Sequence, residues 1–124
     1  MQAERMLGSP LAAVISVTGH DKERAALGHR WHSIFRIAFD DVDPVTFPGS
    51  NPDLHPISQD QATKIASFVS GLPSSVQTLV IHCKSGISRS GGIAKAVAER
   101  FRLRFPVGYK EYNRHVCELV LRQL

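Results

Sequence analysis

Apolar positions along the chain fall into short runs separated by polar, glycine-bearing or proline-bearing breaks. Residues 11–17 (LAAVISV) and 33–39 (SIFRIAF) are mostly apolar and rich in Val, Ile and Phe, the pattern of buried strands. Residues 76–82 (VQTLVIH) give the clearest strand, β-branched and apolar as at the centre of a parallel sheet. Helical periodicity appears elsewhere. Ala62, Ile65, Ala66 and Val69 recur at i, i+3, i+4 and i+7 behind Ser58-x-x-Gln61, which has the form of a capping box, and Gly71 and Pro73 stop that helix. A second helix is predicted over 90–101, with Ile93, Val97 and Phe101 on one face. A third is predicted over 109–124, with Tyr112, Val116, Leu119 and Val120 inward. Shorter helices are expected at 2–7, stopped by Gly8, Ser9 and Pro10, and at 21–27, closed by Gly28.

One stretch fits neither period. Residues 40–56 contain Pro44, Pro48, Pro52 and Pro56 together with Gly49 and four Asp. Proline at this spacing excludes both a helix and a central strand, and a long loop inside a compact domain is often a lid or binding loop. Strands alternating with helices predict one α/β domain spanning 1–124. Its mainly parallel sheet would have roughly four to five strands and be covered by helices on both faces.

The length of 124 residues suits one domain with its own core, and 43% apolar against 21% charged residues is ordinary for a globular chain. No apolar run is long enough for a membrane span, and no signal-peptide core stands at the N-terminus. Two cysteines 34 positions apart make no disulfide framework and fit a reducing compartment, so a cytoplasmic monomer is expected. The six His lack metal-ligand spacing, so neither a metal nor another cofactor is expected.

Charge is unevenly placed within the net +4. From Lys84 onward nine Lys or Arg oppose three acidic residues, a balance of +6, whereas the first 83 residues carry six against eight, or −2. A basic C-terminal third suits something anionic. Aromatics are few, at 7%, which argues against nucleic acid.

The segment between the predicted strand at 76–82 and the predicted helix at 90–101 carries chemistry. It reads Cys83-Lys84-Ser85-Gly86-Ile87-Ser88-Arg89. A strand–loop–helix of small residues directs successive backbone N–H groups into a concavity, and the helix N-terminus adds positive potential, so residues 84–89 are candidate phosphate-binding positions. Gly86 allows the tight bend, and the planar fork of Arg89 can grip two phosphate oxygens. Cys83 begins the loop. Those donors favour its thiolate, a nucleophile able to attack phosphorus. Ser90 is placed to donate to the sulfur and ease its departure, and His82 to hold the loop's shape.

His82-Cys83-x5-Arg89-Ser90 resembles the signature of the cysteine-dependent protein tyrosine phosphatases, and of their small dual-specificity and bacterial or phage-type members in particular. The resemblance covers most of the chain. It implies a protein tyrosine phosphatase-like fold and a phosphate monoester hydrolase acting on phosphorylated protein or peptide through a cysteinyl-phosphate. Rhodaneses also open an anion loop with Cys, but their loop is usually shorter. Phosphoinositide phosphatases and RNA 5′-triphosphatases share Cys-x5-Arg and often place Lys after the Cys, as Lys84 does here. The inositide enzymes typically carry a second Lys where this chain has Ile87. A phosphate-binding module without turnover is the reading from another class, although such a module does not require the thiol.

The resemblance also implies a general acid on a separate loop. Ligands of parallel sheets bind beyond the carboxyl ends of the strands, and the strand over 33–39 delivers Asp40, Asp41 and Asp43 to that edge. The phrase Phe39-Asp40-Asp41-Val42 looks like the acid-bearing stretch of the small bacterial and phage-like members. Asp41 is the first choice, Asp43 and Asp40 the alternatives, and Asp53 the next candidate. Asn113, followed by Arg114, resembles a position that braces the signature loop. Cys117 on the last predicted helix reads as an inert core residue, and Trp31 as packing.

Overall fold

The computed structural model describes residues 9–28, 30–46, 49, 53–84 and 87–124. The expected helix at 2–7 and the loop residues Ser85 and Gly86 lie outside that set. Three strands and three helices follow in the order β1 (Ala12–Thr18), β2 (Ser33–Ala38), α1 (Gln59–Ser70), β3 (Thr78–His82), α2 (Arg89–Phe101) and α3 (Arg114–Gln123). The strands form one parallel sheet in the order β2-β1-β3. The described residues therefore hold three strands rather than the four to five expected.

β1 is central, and Ala12 to Val17 are buried on both faces. Successive strand residues point to opposite faces. Ile15 and Val17 of β1 and Ile37 of β2 share one core cluster with Ile65 and Val69 of α1, Ile93 and Val97 of α2, and Val116 and Val120 of α3. All three described helices thus pack on the same face of the sheet, where helices on both faces were expected. The opposite face carries Val14, Ser16, Ile34 and Arg36, and residues 22–28 cross it without regular structure. Arg36 Nη1 donates to the Ala25 carbonyl at 2.8 Å. That contact, with Asp21 in the left-handed region (φ 57°), accounts for the absence of the helix expected at 21–27. So short a polar helix gains little by itself.

The other boundaries have local causes. The Ser58–Gln61 capping box opens α1 with both of its bonds present. β3 starts at Thr78 because Val76 N–H closes a turn on the Pro73 carbonyl. The last helix begins at Arg114 and not at 109, since Asn113 is its N-cap: its side-chain oxygen accepts from Val116 N–H at 3.0 Å. Arg102, left-handed at φ 56°, ends α2, and Phe101 stands 44% exposed there instead of on the buried face. Gly92 permits a close approach of α2 and α3, because a Cβ at that position would lie 2.6 Å from the Asn113 carbonyl oxygen. Residues 40–56 contain neither helix nor strand among their described members. No helix is long and apolar enough to cross a membrane among the described residues.

Candidate active site

β3 ends at His82 and α2 begins at Arg89, so Cys83 leaves the sheet where the first turn of a helix faces it. The thiol is 2% exposed. Its Sγ lies 3.2 Å from Ser90 Oγ and accepts from Ser90 N–H at 3.4 Å. The sulfur thus sits against the N-terminal turn of α2, at the positive end of that helix's dipole. His82 is buried and pairs with Ser16 across the β1–β3 ladder; its Nε2 lies 2.9 Å from Ser16 Oγ. That places the ring on the sheet face opposite the helices, where it fixes the strand end directly before the thiol.

Arg89 is half-buried and donates from Nη1 to the Phe39 carbonyl, just past the end of β2, at 2.9 Å. Its guanidinium lines a cleft of about 890 Å³ together with His82, Lys84, Lys22, Asp40 and Asp41. Lys84 is exposed, and Leu54, Ala25 and Ala26 supply apolar wall. Ile87 is 44% exposed, and its carbonyl accepts from Tyr109 O–H. Burial, followed by the charges of Glu111 and Cys83, raises the Tyr109 pKa, which keeps the phenol protonated as that donor. Tyr109 is a site residue that sequence reasoning missed; nothing in its spacing distinguishes it from a core aromatic.

The three aspartates after β2 have different partners. Asp40 accepts from the backbone N–H groups of His20 at 3.0 Å and His55 at 2.8 Å, and the two imidazoles stack with centroids 3.7 Å apart. The His55 N–H, aided by that of His20, holds the Asp40 pKa below the usual carboxylate range. Asp43 accepts from Arg114 N–H at 2.9 Å and His115 N–H at 3.3 Å at the start of α3, and also from Thr46. Burial alone pushes Asp43 up, but these bonds outweigh it and leave the pKa lowered. Both carboxylates are committed to holding backbone.

Among the described residues Asp41 holds no backbone N–H. Its Oδ1 accepts from Ser88 Oγ and from Asn113 Nδ2, each at 2.8 Å, and the residue is exposed. Ser88, the N-cap of α2, therefore directs its hydroxyl to Asp41 and makes no side-chain cap of its own helix. Asn113 also donates from Nδ2 to the Val42 carbonyl and from its backbone N–H to the Ser88 carbonyl. One buried residue, through its side chain and its backbone N–H, thus joins the loop after β2, the N-terminus of α2 and the N-terminus of α3. Asp53 is exposed and does not line the cleft.

Among the described residues no group of three or more His, Cys, Asp or Glu could hold a metal ion. Cys117 is buried on α3, where burial pushes its thiol up to about 11. Trp31 is partly buried, and its indole Nε1 has no hydrogen-bond partner among the described residues. The chain matches no family model, no curated protein and no solved structure.

Proposed function

We propose that the chain is a cysteine-dependent phosphate monoester hydrolase, related in fold and mechanism to the protein tyrosine phosphatases and acting on phosphotyrosine in protein or peptide. The observation that carries this reading is the pairing of Cys83 Sγ with Ser90 Oγ and N–H on the first turn of α2. The residues on either side of that cysteine, His82 and Lys84, line a cleft together with Arg89 and Asp41, an aspartate from another loop. In the proposed reaction the Cys83 thiolate attacks phosphorus, an S–P bond forms and the O–P bond to the leaving group breaks. Asp41 gives its proton to the departing oxygen. Water then attacks the cysteinyl-phosphate with Asp41 taking a proton, and Ser90 stabilises the sulfur as it leaves with the bonding pair.

Asp41 suits the acid role better than its neighbours for a physical reason. Both of its bonds come from side chains and fall on Oδ1, whereas backbone N–H groups hold the carboxyls of Asp40 and Asp43 below the usual range and tie them to the backbone. Arg89 would bind the equatorial oxygens, and the cleft's apolar wall would take an aryl group.

A second reading, a phosphatase for a polyphosphorylated substrate such as an inositide or a 5′-triphosphate RNA, draws on Lys22 and Lys84, which line the cleft beside Arg89. One experiment tests both. Phosphate release is measured on a phosphotyrosine peptide, a phosphothreonine peptide, an inositide and a 5′-triphosphate RNA. Fastest turnover on phosphotyrosine supports the first reading, and preference for the inositide or RNA supports the second. No release from any of them, with oxyanion binding retained, leaves a phosphate-binding module.

A further inference from the structure

Outside the cleft, the chain between α2 and α3 has an unusual surface. Residues 100–110 read RFRLRFPVGYK, with four cationic side chains and no carboxylate. The base of the segment is fixed. Phe105 meets Tyr109 and Tyr112 edge to face, at 5.7 Å and 6.0 Å, with Lys95 over its ring. Above that base the aliphatic side chains are turned out. Leu103 is 60% exposed and Val107 is fully exposed, at a turn closed by Tyr109 N–H on the Pro106 carbonyl with Gly108 at φ 84°. Arg102, Arg104 and Lys110 are exposed around them. A fully exposed Val at a turn tip between exposed cations gains nothing in water and gains burial where an apolar medium lies beneath an anionic layer.

We propose that residues 100–110 dock on an anionic phospholipid bilayer, with Val107 and Leu103 entering the interface and Arg102, Arg104 and Lys110 meeting the headgroups. The aromatic rings near the segment favour this over a nucleic acid. Phe105 meets Tyr109 and Tyr112 edge to face, and Phe101, 44% exposed, carries Arg100 over its ring, so the two most exposed apolar side chains, Val107 and Leu103, are aliphatic and have no π-face for bases. The Tyr109 O–H bond to the Ile87 carbonyl ties the segment to the loop that follows Cys83. The docking itself stands apart from any turnover at Cys83.

Sedimentation with vesicles tests it. The protein is mixed with phosphatidylcholine vesicles, with and without about 30% phosphatidylserine, at salt from about 0.1 M to about 1 M. Binding is expected only to the anionic vesicles and should weaken steeply as salt rises. Arg102→Gln with Arg104→Gln should weaken it about 25-fold, from about fivefold per charge near such a surface. Val107→Asp should weaken it about tenfold or more through lost insertion. All three positions are exposed, so unchanged far-UV spectra and melting temperatures are expected and are recorded alongside. No partition onto anionic vesicles overturns the proposal, as does equal partition onto pure phosphatidylcholine or wild-type affinity in the variants. Binding to a DNA duplex or an acidic peptide without vesicle binding overturns it in favour of that partner. Because partition is read without substrate, an inactive protein that binds vesicles would count against the hydrolase reading alone.

Discussion

Asn113 Nδ2 donates to Asp41 Oδ1 at 2.8 Å across 72 positions of sequence. The N-cap of the last helix is therefore also the anchor of the loop after β2. Asp41→Asn is expected to slow phosphotyrosine hydrolysis by about 10²–10⁴-fold, because a phenolate leaving group with a pKa near 10 needs a proton. Nitrophenyl phosphate, whose leaving group is already stable as an anion, should lose much less. The alkaline limb of the rate profile should flatten. Asp43→Asn is the comparison. If it shows the leaving-group-dependent loss and Asp41→Asn does not, the acid lies two residues along.

Asn113→Ala separates anchoring from chemistry. It should cost about 0.5–2 kcal/mol of stability through the lost cap. It should also lower kcat on phosphotyrosine more than on nitrophenyl phosphate, since it frees the loop that carries Asp41. Equal losses on both substrates would mean that Asn113 acts on α2 and not through Asp41.

The two thiols should differ in reactivity. Cys83 faces the N-terminal turn of α2, whereas burial holds Cys117 protonated, with a pKa of about 11. Iodoacetamide at neutral pH should alkylate Cys83 and spare Cys117, as peptide mass mapping would show, and bound vanadate should protect Cys83. Cys83→Ser should abolish turnover while retaining oxyanion binding. Arg89→Lys keeps the charge and loses the fork, so it should lower kcat on the order of 10²-fold; a loss confined to KM would argue against a transition-state role.

Acid should loosen the loop after β2. Asp40 and Asp43 have folded-state pKa values below the unfolded value of about 3.9, so their contribution to stability is present above that pH and is lost as pH falls through the folded values. Melting temperature should therefore fall as pH drops below about 4. Asp43→Asn should melt lower at neutral pH and show a shallower acid limb. An unchanged acid limb in that variant would mean that Asp43 is not the linked group.

The strands at 11–17, 33–39 and 76–82 and the capped helix α1 were legible because each is decided locally, by an apolar run or by Ser58 and Gln61. Residues 21–27 were not. Their backbone answers to Arg36, on a strand they do not adjoin in sequence. The start of α3 was misplaced for a similar reason. Tyr109 and Tyr112 have helical spacing from Val116, yet Tyr112 packs on Phe105, and Tyr109 also bonds the Ile87 carbonyl. In the candidate site, Cys83, Arg89 and Ser90 could be picked out because they are nearly contiguous. Asp40, Asp41 and Asp43 were inseparable, since their partners are His20 and His55, Ser88 and Asn113, and Arg114 and His115.

Gly92 approaches α3 so closely that a Cβ would lie 2.6 Å from the Asn113 carbonyl oxygen, with Val116 at 3.0 Å. Gly92→Ala should cost about 1–3 kcal/mol, as overpacking does, and should shift Asn113. Part of its effect would then be seen as lost activity on phosphotyrosine at temperatures where the fold is intact.

The central position of β1 bears on how the chain is assembled during synthesis. Ser16 meets His82 across 66 positions, and the second of the two bonds to Asp41 Oδ1 arrives only with Asn113. A nascent chain that has emerged as far as Arg89 already carries the thiol and the guanidinium, but neither Asn113 nor α3 to seat the acid and cover α2. Ribosome-held fragments ending before Asn113 would then have the thiol and Asp41 but lack the Asn113 bond that helps to seat Asp41. On the proposed mechanism, phosphotyrosine turnover would begin only after the final helix has docked.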